Sequence, residues 1–168
     1  IIQQTNDGEY FYSPHIQTKI RDIAWTAGFK GVSKGNWNWD LSNSIGSNRF
    51  HFFGDKTFNA SLIENTTKTF FIDGGFRFRQ ATLNFDMSKN FKSVASGLNI
   101  GYGLEYRNER YGINKGEEDS YANYDPSVNQ GSGAQGFPGF SPADVVDAKR
   151  SSLSAYVDGE LEVLILLF

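Results

Sequence analysis

Apolar and polar side chains alternate with a period of two residues in five segments of the chain. In NWNWDLSNSIGSN, residues 36 to 48, the odd positions from Trp37 to Leu41 are large and apolar, whereas the even positions carry Asn, Asp and Ser. The same pattern recurs at residues 23 to 30, 81 to 88, 98 to 106 and 153 to 163. Because successive side chains of a β-strand point to opposite faces, this period predicts five strands with one apolar and one polar face each. The chain is therefore expected to be all-β.

The connections between these segments alternate in length. Those at residues 33 to 36 and 89 to 97 are short, whereas residues 47 to 75 and 113 to 149 are long and rich in Gly, Asn, Ser and aromatic residues. Residues 1 to 19 are expected to form a further loop. Short turns at one end and long loops at the other predict an antiparallel up-and-down meander whose two ends face different surroundings.

The overall composition excludes several function classes. The 168 residues are enough for one ordinary domain, and 15% aromatic residues with 18 glycines favour strands and turns over helices. A net charge of -3 with scattered Lys and Arg gives no basic stripe, so no nucleic-acid partner is expected. The absence of Cys excludes disulfides and thiolate chemistry.

The sequence contains no segment suited to a transmembrane helix. Its longest apolar run, residues 163 to 168, is far short of the about 20 residues that a spanning helix needs. A transmembrane β-barrel stays open, because each of its strands needs only about ten alternating residues. The chain begins without a start Met or a signal peptide, so we expect an internal or mature piece of a longer protein.

The composition of the two faces favours a membrane barrel. The polar face carries mostly Asn, Ser, Thr, Asp and Gly, which suit a crowded aqueous lumen. Gly101 and Gly103 on this face either allow strong twist or leave room for another group inside the barrel. On the apolar face, Trp37 and Trp39 lie beside a short turn, where an aromatic girdle would meet the lipid interface. The residues predicted to face lipid are Trp25, Phe29, Trp37, Trp39, Leu41, Leu83, Phe85, Tyr102 and Leu104.

The alternation changes phase near residues 73 to 81. Phe76 and Phe78 fall on even positions and Arg77 and Arg79 on odd ones, the opposite of the segment that follows. Two charges on a lipid-facing row would cost about 2 to 4 kcal/mol each at the bilayer midplane. This stretch is therefore expected to lie beyond the membrane, at the long-loop end.

Two aromatic clusters in the predicted loops are candidates for recognition. RFHFFGDKTF, from residue 49, and GAQGFPGFSP, from residue 133, combine rings with polar and turn residues, as surfaces that stack on sugars or aromatic ligands do. The alternative is that these rings pack the loops against one another. The candidate ligand-facing residues are Phe52, Phe53, Glu117, Tyr121, Phe137 and Phe140.

Catalytic and metal-binding motifs are weak. Glu117, Glu118 and Asp119 in KGEEDSY lack the spacing of a calcium loop and are typical of a solvated charge cluster. The two histidines, His15 and His51, have no nearby acidic pattern that indicates a metal site or a catalytic triad. We therefore expect no enzyme activity, no metal and no cofactor.

A series of strings, in order from about residue 14 to 163, resembles the barrel region of one protein family. The strings are IAWTAGFKG, NWDLSNSIGSNRFHFF, FNASL, FRFRQATLNFDMSKNF, GLNIGYGLEYRNERYGINKGEEDSYANYD, GAQGFPGF and KRSSLSAYVDGELEV. The family is that of the TonB-dependent outer-membrane receptors, especially those of Bacteroidetes-type bacteria.

This resemblance implies a fold, a location and partners. It implies a 22-stranded transmembrane β-barrel with long extracellular loops in the bacterial outer membrane, filled by an N-terminal plug domain that TonB energises. Such receptors bind and import a scarce ligand of the siderophore, cobalamin or oligosaccharide class. Residues 1 to 168 are then a barrel segment of about five strands, without the plug domain and the remaining strands. The implied partners are outer-membrane lipid, TonB through the absent plug domain, a possible surface lipoprotein and a small-molecule or oligosaccharide ligand.

Two other functions remain open on the residues alone. A soluble β-sheet module that binds carbohydrate or another ligand would place Trp25, Trp37 and Phe85 in its core. A β-rich hydrolase using Glu105, Glu117 or Asp158 would need two of these carboxylates to meet in one cleft.

Overall fold

The computed structural model describes residues 2–4, 8, 10–62, 68–127 and 131–163. The strands are β1 (Ile2–Gln4), β2 (Tyr10–Tyr12), β3 (His15–Val32), β4 (Asn38–Asp55), β5 (Phe70–Phe91), β6 (Gly97–Asn114) and β7 (Val146–Glu162). The only helices in these residues are α1 (Glu118–Tyr121) and a 3-10 turn at Pro142–Asp144. The apolar run at residues 163 to 168 lies, except for Val163, outside the described residues.

The strands form two sheets. β1 and β2 pair as an antiparallel ribbon, with Ile2 opposite Tyr12. The other five strands form one antiparallel sheet in the order β3-β4-β5-β6-β7, which leaves β3 and β7 at its two edges. The predicted all-β chain with a five-stranded antiparallel meander is therefore confirmed. Within the described residues, no helix is long and apolar enough to cross a membrane.

The strands are longer than the alternation predicted. The short connections are confirmed, since β3 ends at Val32 and β4 begins at Asn38, while β5 ends at Phe91 and β6 begins at Gly97. The predicted loops at residues 1 to 19, 47 to 75 and 113 to 149 are too long, because parts of all three are strand. In β4, Phe50 and Phe52 fall on even positions, whereas Trp39 and Leu41 fall on odd ones. The apolar face that predicted the strand therefore stops before the strand does.

The chain divides into two compact units, each built from three stretches of sequence. One, here named the strand unit, comprises Ile23–Gly46, Arg79–Glu109 and Lys149–Phe168. The other, named the loop unit, comprises Ile1–Asp22, Ser47–Phe78 and Arg110–Ala148.

The two faces of the strand unit differ sharply. Trp25 is 58% exposed, and Phe29 is 75% exposed. Five other residues predicted to face lipid are also exposed, namely Leu41, Leu83, Phe85, Tyr102 and Leu104. On the polar positions, the hydroxyls of Thr26 and Ser44 share a hydrogen bond of 2.9 Å.

The two remaining predicted lipid-facing residues, Trp37 and Trp39, are partly buried. Trp37 follows the first short connection, and its ring packs edge-on against Phe91 at 6.1 Å and Tyr102 at 5.6 Å between centroids. The aromatic residues near the two short connections therefore contact one another within the strand unit.

Gly103 on the polar face accommodates a tyrosine from the neighbouring strand. Tyr156 of β7 reaches across β6 and donates a hydrogen bond of 2.8 Å to Oδ1 of Asp86 on β5. A Cβ atom at Gly103 would overlap both the Tyr156 ring and the Asp86 carboxylate, whereas one at Gly101 would meet its nearest atom at 3.9 Å. Gly103 therefore leaves room for Tyr156, whereas Gly101 does not contact it closely.

Candidate functional site

A hydrogen-bonded frame holds the connecting segments of the loop unit together. The side-chain amide of Asn59 donates to the carbonyl oxygens of Asp119 at 2.8 Å and Ala122 at 2.9 Å, while Asn59 also forms a backbone bridge with Ala134. The Thr57 hydroxyl donates to the backbone carbonyl of Gln135, which follows Ala134 in the sequence. Asn59 and Thr57 are buried, so these bonds fasten distant parts of the sequence inside the unit.

The same frame fixes the segment that carries Phe140. The Phe140 amide donates to the Asp73 carbonyl, and the Phe140 carbonyl accepts from Gly116, each at 2.9 Å. The amide of Gly139 donates to the Ser120 carbonyl at 2.9 Å, and a Cβ atom at position 139 would overlap the Ser120 side chain. Glycine is therefore required at position 139 for this close approach.

Six aromatic rings form one cluster on this frame. Phe52 is central, with ring centroids 4.6 Å from Phe50, 5.5 Å from Phe76, 5.3 Å from Phe137 and 6.1 Å from Phe140. The sixth ring is Tyr111, which stacks on Phe76 and is 39% exposed. Below, "the aromatic cluster" denotes Phe50, Phe52, Phe76, Tyr111, Phe137 and Phe140.

The structure brings three predicted ligand-facing residues together and separates a fourth. Phe52, Phe137 and Phe140 contact one another, although 85 residues or more separate Phe52 from the other two. Phe53 instead stacks between His51 and Phe70, with centroid distances of 6.5 and 5.7 Å. The cluster rings pack on one another, as the alternative expected, and the phenylalanines among them are only partly buried, so part of each ring stays accessible.

The two other predicted residues belong to a polar network beside the frame. Lys68 Nζ lies 3.0 Å from Glu117 Oε2 and 2.6 Å from Asp119 Oδ2. Glu117 Oε1 also accepts the backbone N–H of Ile72 at 2.9 Å. Tyr121, partly buried, ends α1 next to these residues. Because both carboxylate oxygens of Glu117 already have partners within the protein, its first role is structural.

Lys68 and Asp119 stay charged at neutral pH. Partial burial alone would lower the pKa of Lys68, but its hydrogen bonds to Asp119 and Glu117 outweigh that effect and raise the pKa. The hydrogen bond from Lys68 lowers the pKa of Asp119, and a second from the Tyr124 hydroxyl adds to it. Burial and the bond to Asp119 raise the pKa of Tyr124 to about 12. None of these three groups changes its protonation near pH 7, which suits a structural network better than acid-base catalysis.

Asp73 is the functional-site residue that the sequence did not single out. Its side chain is fully buried, and neither carboxylate oxygen has a hydrogen-bond partner among the described residues. Burial, and next the nearby Glu117, raise the pKa of Asp73 to about 7. The only sequence signal is its position in FFIDGGF, where a single acid interrupts apolar and glycine residues.

The described residues do not assemble a metal centre. No three His, Asp or Glu side chains within them come together to hold a metal ion. Two of the acids considered for a hydrolase have basic partners, since Glu105 pairs with Arg107 at 2.8 Å and Glu117 pairs with Lys68. Comparison with protein-family models, with curated proteins and with solved structures gave no match.

Proposed function

We propose that the chain is a wall segment of a TonB-dependent outer-membrane receptor that binds and imports a siderophore, cobalamin or oligosaccharide. In this proposal the five-stranded sheet is part of a 22-stranded transmembrane barrel of the bacterial outer membrane. The strand unit lies in the bilayer, and the loop unit takes part in ligand capture. The partners are outer-membrane lipid, the ligand, TonB through a plug domain, and a surface lipoprotein.

The exposed apolar face of the strand unit carries this proposal. Trp25, Phe29 and Leu104 are each more than half exposed, on strands whose alternate positions are polar. A large apolar patch of this kind marks a surface that something else covers. In a barrel wall that cover is lipid, and the polar row faces an aqueous interior.

The edges of the sheet support the same reading. β3 and β7 are its outer strands, and nearly every residue in them is exposed. An open edge presents unpaired backbone N–H and C=O groups, which in lipid must all be satisfied by further strands. Two long strands with open edges are therefore expected of a segment whose neighbours complete a closed wall.

The aromatic cluster is the proposed contribution to ligand capture. Its phenylalanines are only partly buried, Tyr111 is exposed, and the frame fixes the segment that carries Phe140. Aromatic surfaces of this kind bind flat or ring-shaped ligands by stacking, and Tyr111 adds a hydroxyl for hydrogen bonding. This chemistry fits the oligosaccharide and macrocycle classes without distinguishing them.

Partitioning between buffer and detergent tests the membrane assignment. The purified chain is divided between aqueous buffer and detergent micelles, and circular dichroism is recorded on both fractions. We expect a β spectrum only in detergent and aggregation in buffer. A monodisperse, folded β protein in plain buffer would contradict the proposal and favour the soluble carbohydrate- or ligand-binding module.

A pair of neighbouring substitutions on β5 tests which face meets lipid. Phe85→Lys introduces a charge on the apolar face, and Asn84→Lys introduces the same charge on the polar face. In detergent or lipid, Phe85→Lys should lower the free energy of unfolding by about 2 to 4 kcal/mol and Asn84→Lys by less than about 1 kcal/mol. Since Phe85 is already exposed, equal small effects would mean that its face lies in water instead.

A further inference from the structure

A groove in the loop unit is lined almost entirely by basic side chains. It has a volume of about 290 Å³ and lies on β3 and β4. Its lining residues are Lys19, Arg21, Arg49, His51 and Phe53. The basic side chains are exposed except for His51, which is partly buried and stacks on the ring of Phe53.

Two contacts that flank the groove indicate the register of β3 and β4. At one end, Nδ1 of His15 lies 4.0 Å from Oδ2 of Asp55, which also accepts a hydrogen bond from the side-chain amide of Gln17 at 2.8 Å. At the other end, the side-chain amide of Asn48 donates to Oδ1 of Asp22 at 2.5 Å. Between the two contacts each strand contributes six residues, 16 to 21 and 49 to 54, so the pairing needs no bulge.

This register places basic groups directly opposite each other. Counting inwards from both flanking contacts puts Arg21 opposite Arg49 and Lys19 opposite His51. Like charges directly opposite each other destabilise a sheet. Within the described part of the chain, none of the four forms an ion pair with a carboxylate.

Another pair of arginines in the same unit is arranged differently. Arg77 and Arg110 lie on β5 and β6, and both contact the carboxylate of Asp147, Arg110 through two nitrogens. Their charges are therefore neutralised within the protein. In contrast, Arg21 and Arg49 are exposed and make no ion pair within the described residues, so both are accessible to an external anion.

We propose that the groove binds the phosphate group of an anionic membrane lipid. The two arginines of the groove each carry the forked donors that phosphate oxygens prefer, and Lys19 adds a third cation. A lipid is the expected source because the odd positions of β3 continue from Lys19 and Arg21 into Ile23 and Trp25, a change from basic to apolar residues typical of a membrane interface. The lipid source rests on the proposed function, whereas the anion site itself does not.

Native mass spectrometry of the full chain in an uncharged detergent tests this proposal. Short-chain phosphatidic acid, short-chain phosphatidylcholine and inorganic phosphate are titrated separately, and the retained ligand gives an apparent Kd. We expect phosphatidic acid to bind at least about tenfold more tightly than the other two, in line with charge-assisted hydrogen bonds to an anionic headgroup. Inorganic phosphate binding as tightly as phosphatidic acid would overturn the lipid source.

Two double variants with the same loss of charge locate the site. Arg21→Gln with Arg49→Gln should weaken phosphatidic acid binding about tenfold. Arg77→Gln with Arg110→Gln, the matched control, should change it by less than about twofold, because those charges are already paired. Equal losses in both variants would overturn the proposal, since net charge alone would then govern binding.

The outcomes separate this inference from the proposed function. A chain that folds only in detergent, yet binds phosphatidic acid equally well with and without Arg21 and Arg49, refutes the groove alone. A chain that folds in plain buffer refutes the membrane assignment and with it the lipid source. Phosphate binding that still depends on Arg21 and Arg49 would in that case leave only the anion site supported. Circular dichroism of each variant checks that the β fold is retained.

Discussion

The substitution Asp73→Asn should remove a pH-dependent loss of stability from the loop unit. Burial, assisted by Glu117, raises the pKa of Asp73 from 3.8 to about 7. The folded chain therefore holds a proton on Asp73 over a range in which the unfolded chain has released it. The stability that this proton contributes is complete below about pH 3.8 and is lost as the pH rises through about 7.

The size of the effect follows from this pKa. One pKa unit corresponds to about 1.36 kcal/mol, and about pH 5.5 lies roughly 1.5 units below the folded value. Raising the pH from about 5.5 to about 8 should therefore lower the free energy of opening of the wild-type loop unit by about 2 kcal/mol. This corresponds to a factor of about 30 in the opening equilibrium. An Asn at position 73 has no proton to lose and should show no such change.

Amide hydrogen exchange measures the opening directly. The amides of Gly116, Glu117 and Phe140 are informative, because they donate to backbone carbonyls at the centre of the frame. After correction for intrinsic exchange rates, wild-type protection should fall about 30-fold between the two pH values, while Asp73→Asn should stay level. An equal fall in both proteins would refute the assignment to Asp73.

Glu117→Gln provides the control for the neighbouring charge. The Gln carbonyl can still accept the Ile72 amide, so the frame is retained, while the negative charge that helps to raise the pKa of Asp73 is removed. We expect the pH effect to shrink without vanishing, because burial is the larger cause of the shift. A complete loss of the pH effect in this variant would mean that Glu117, and not Asp73, is the group responsible for it.

Three further substitutions test the packing and the network. Gly103→Val should lower the free energy of unfolding by about 1 to 3 kcal/mol, measured by thermal unfolding in detergent, because the new side chain overlaps the ring of Tyr156. Gly101→Val, the control, should be tolerated. Phe52→Ala should increase proteolysis of the segment from residue 137 to 140 several-fold, whereas Phe53→Ala, outside the cluster, should not. Lys68→Met should reduce the loss of stability below about pH 4, followed by acid unfolding, because Asp119 then loses the larger of the two hydrogen bonds that lower its pKa.

The sheet was largely predictable because its signal is local. Each strand of the strand unit alternates over at least eight residues, and a period of two specifies a strand without knowledge of its neighbours. The strand ends were not predictable in the same way. Phe50 and Phe52 occupy even positions of β4, whereas Leu41 occupies an odd one, so the two phenylalanines lie on the opposite face and resemble loop aromatics in the sequence.

The candidate site depended on contacts that the sequence does not encode locally. The aromatic composition predicted Phe52, Phe137 and Phe140 among the ligand-facing residues. Only the structure shows that Phe52 packs on the other two, whereas Phe53 packs on Phe70. Asp73 could not be predicted, because its buried environment is made by segments distant in sequence. From the sequence alone, a single acidic residue within an aromatic stretch is equally consistent with an exposed position.

The reversal of the alternation follows the division of the chain into units and bears on the proposed function. Apolar residues occupy even positions up to Ile20 in β3 and odd positions from Ile23, and the boundary between the units falls after Asp22. In β5 the change falls between Phe78 and Ala81, next to the boundary after Phe78. A barrel strand that leaves a bilayer must exchange outward apolar side chains for polar ones, because its outer face then meets headgroups and water. A soluble sandwich has no reason to make that exchange at the same boundary in separate strands, so the reversal favours a membrane wall over a buried core.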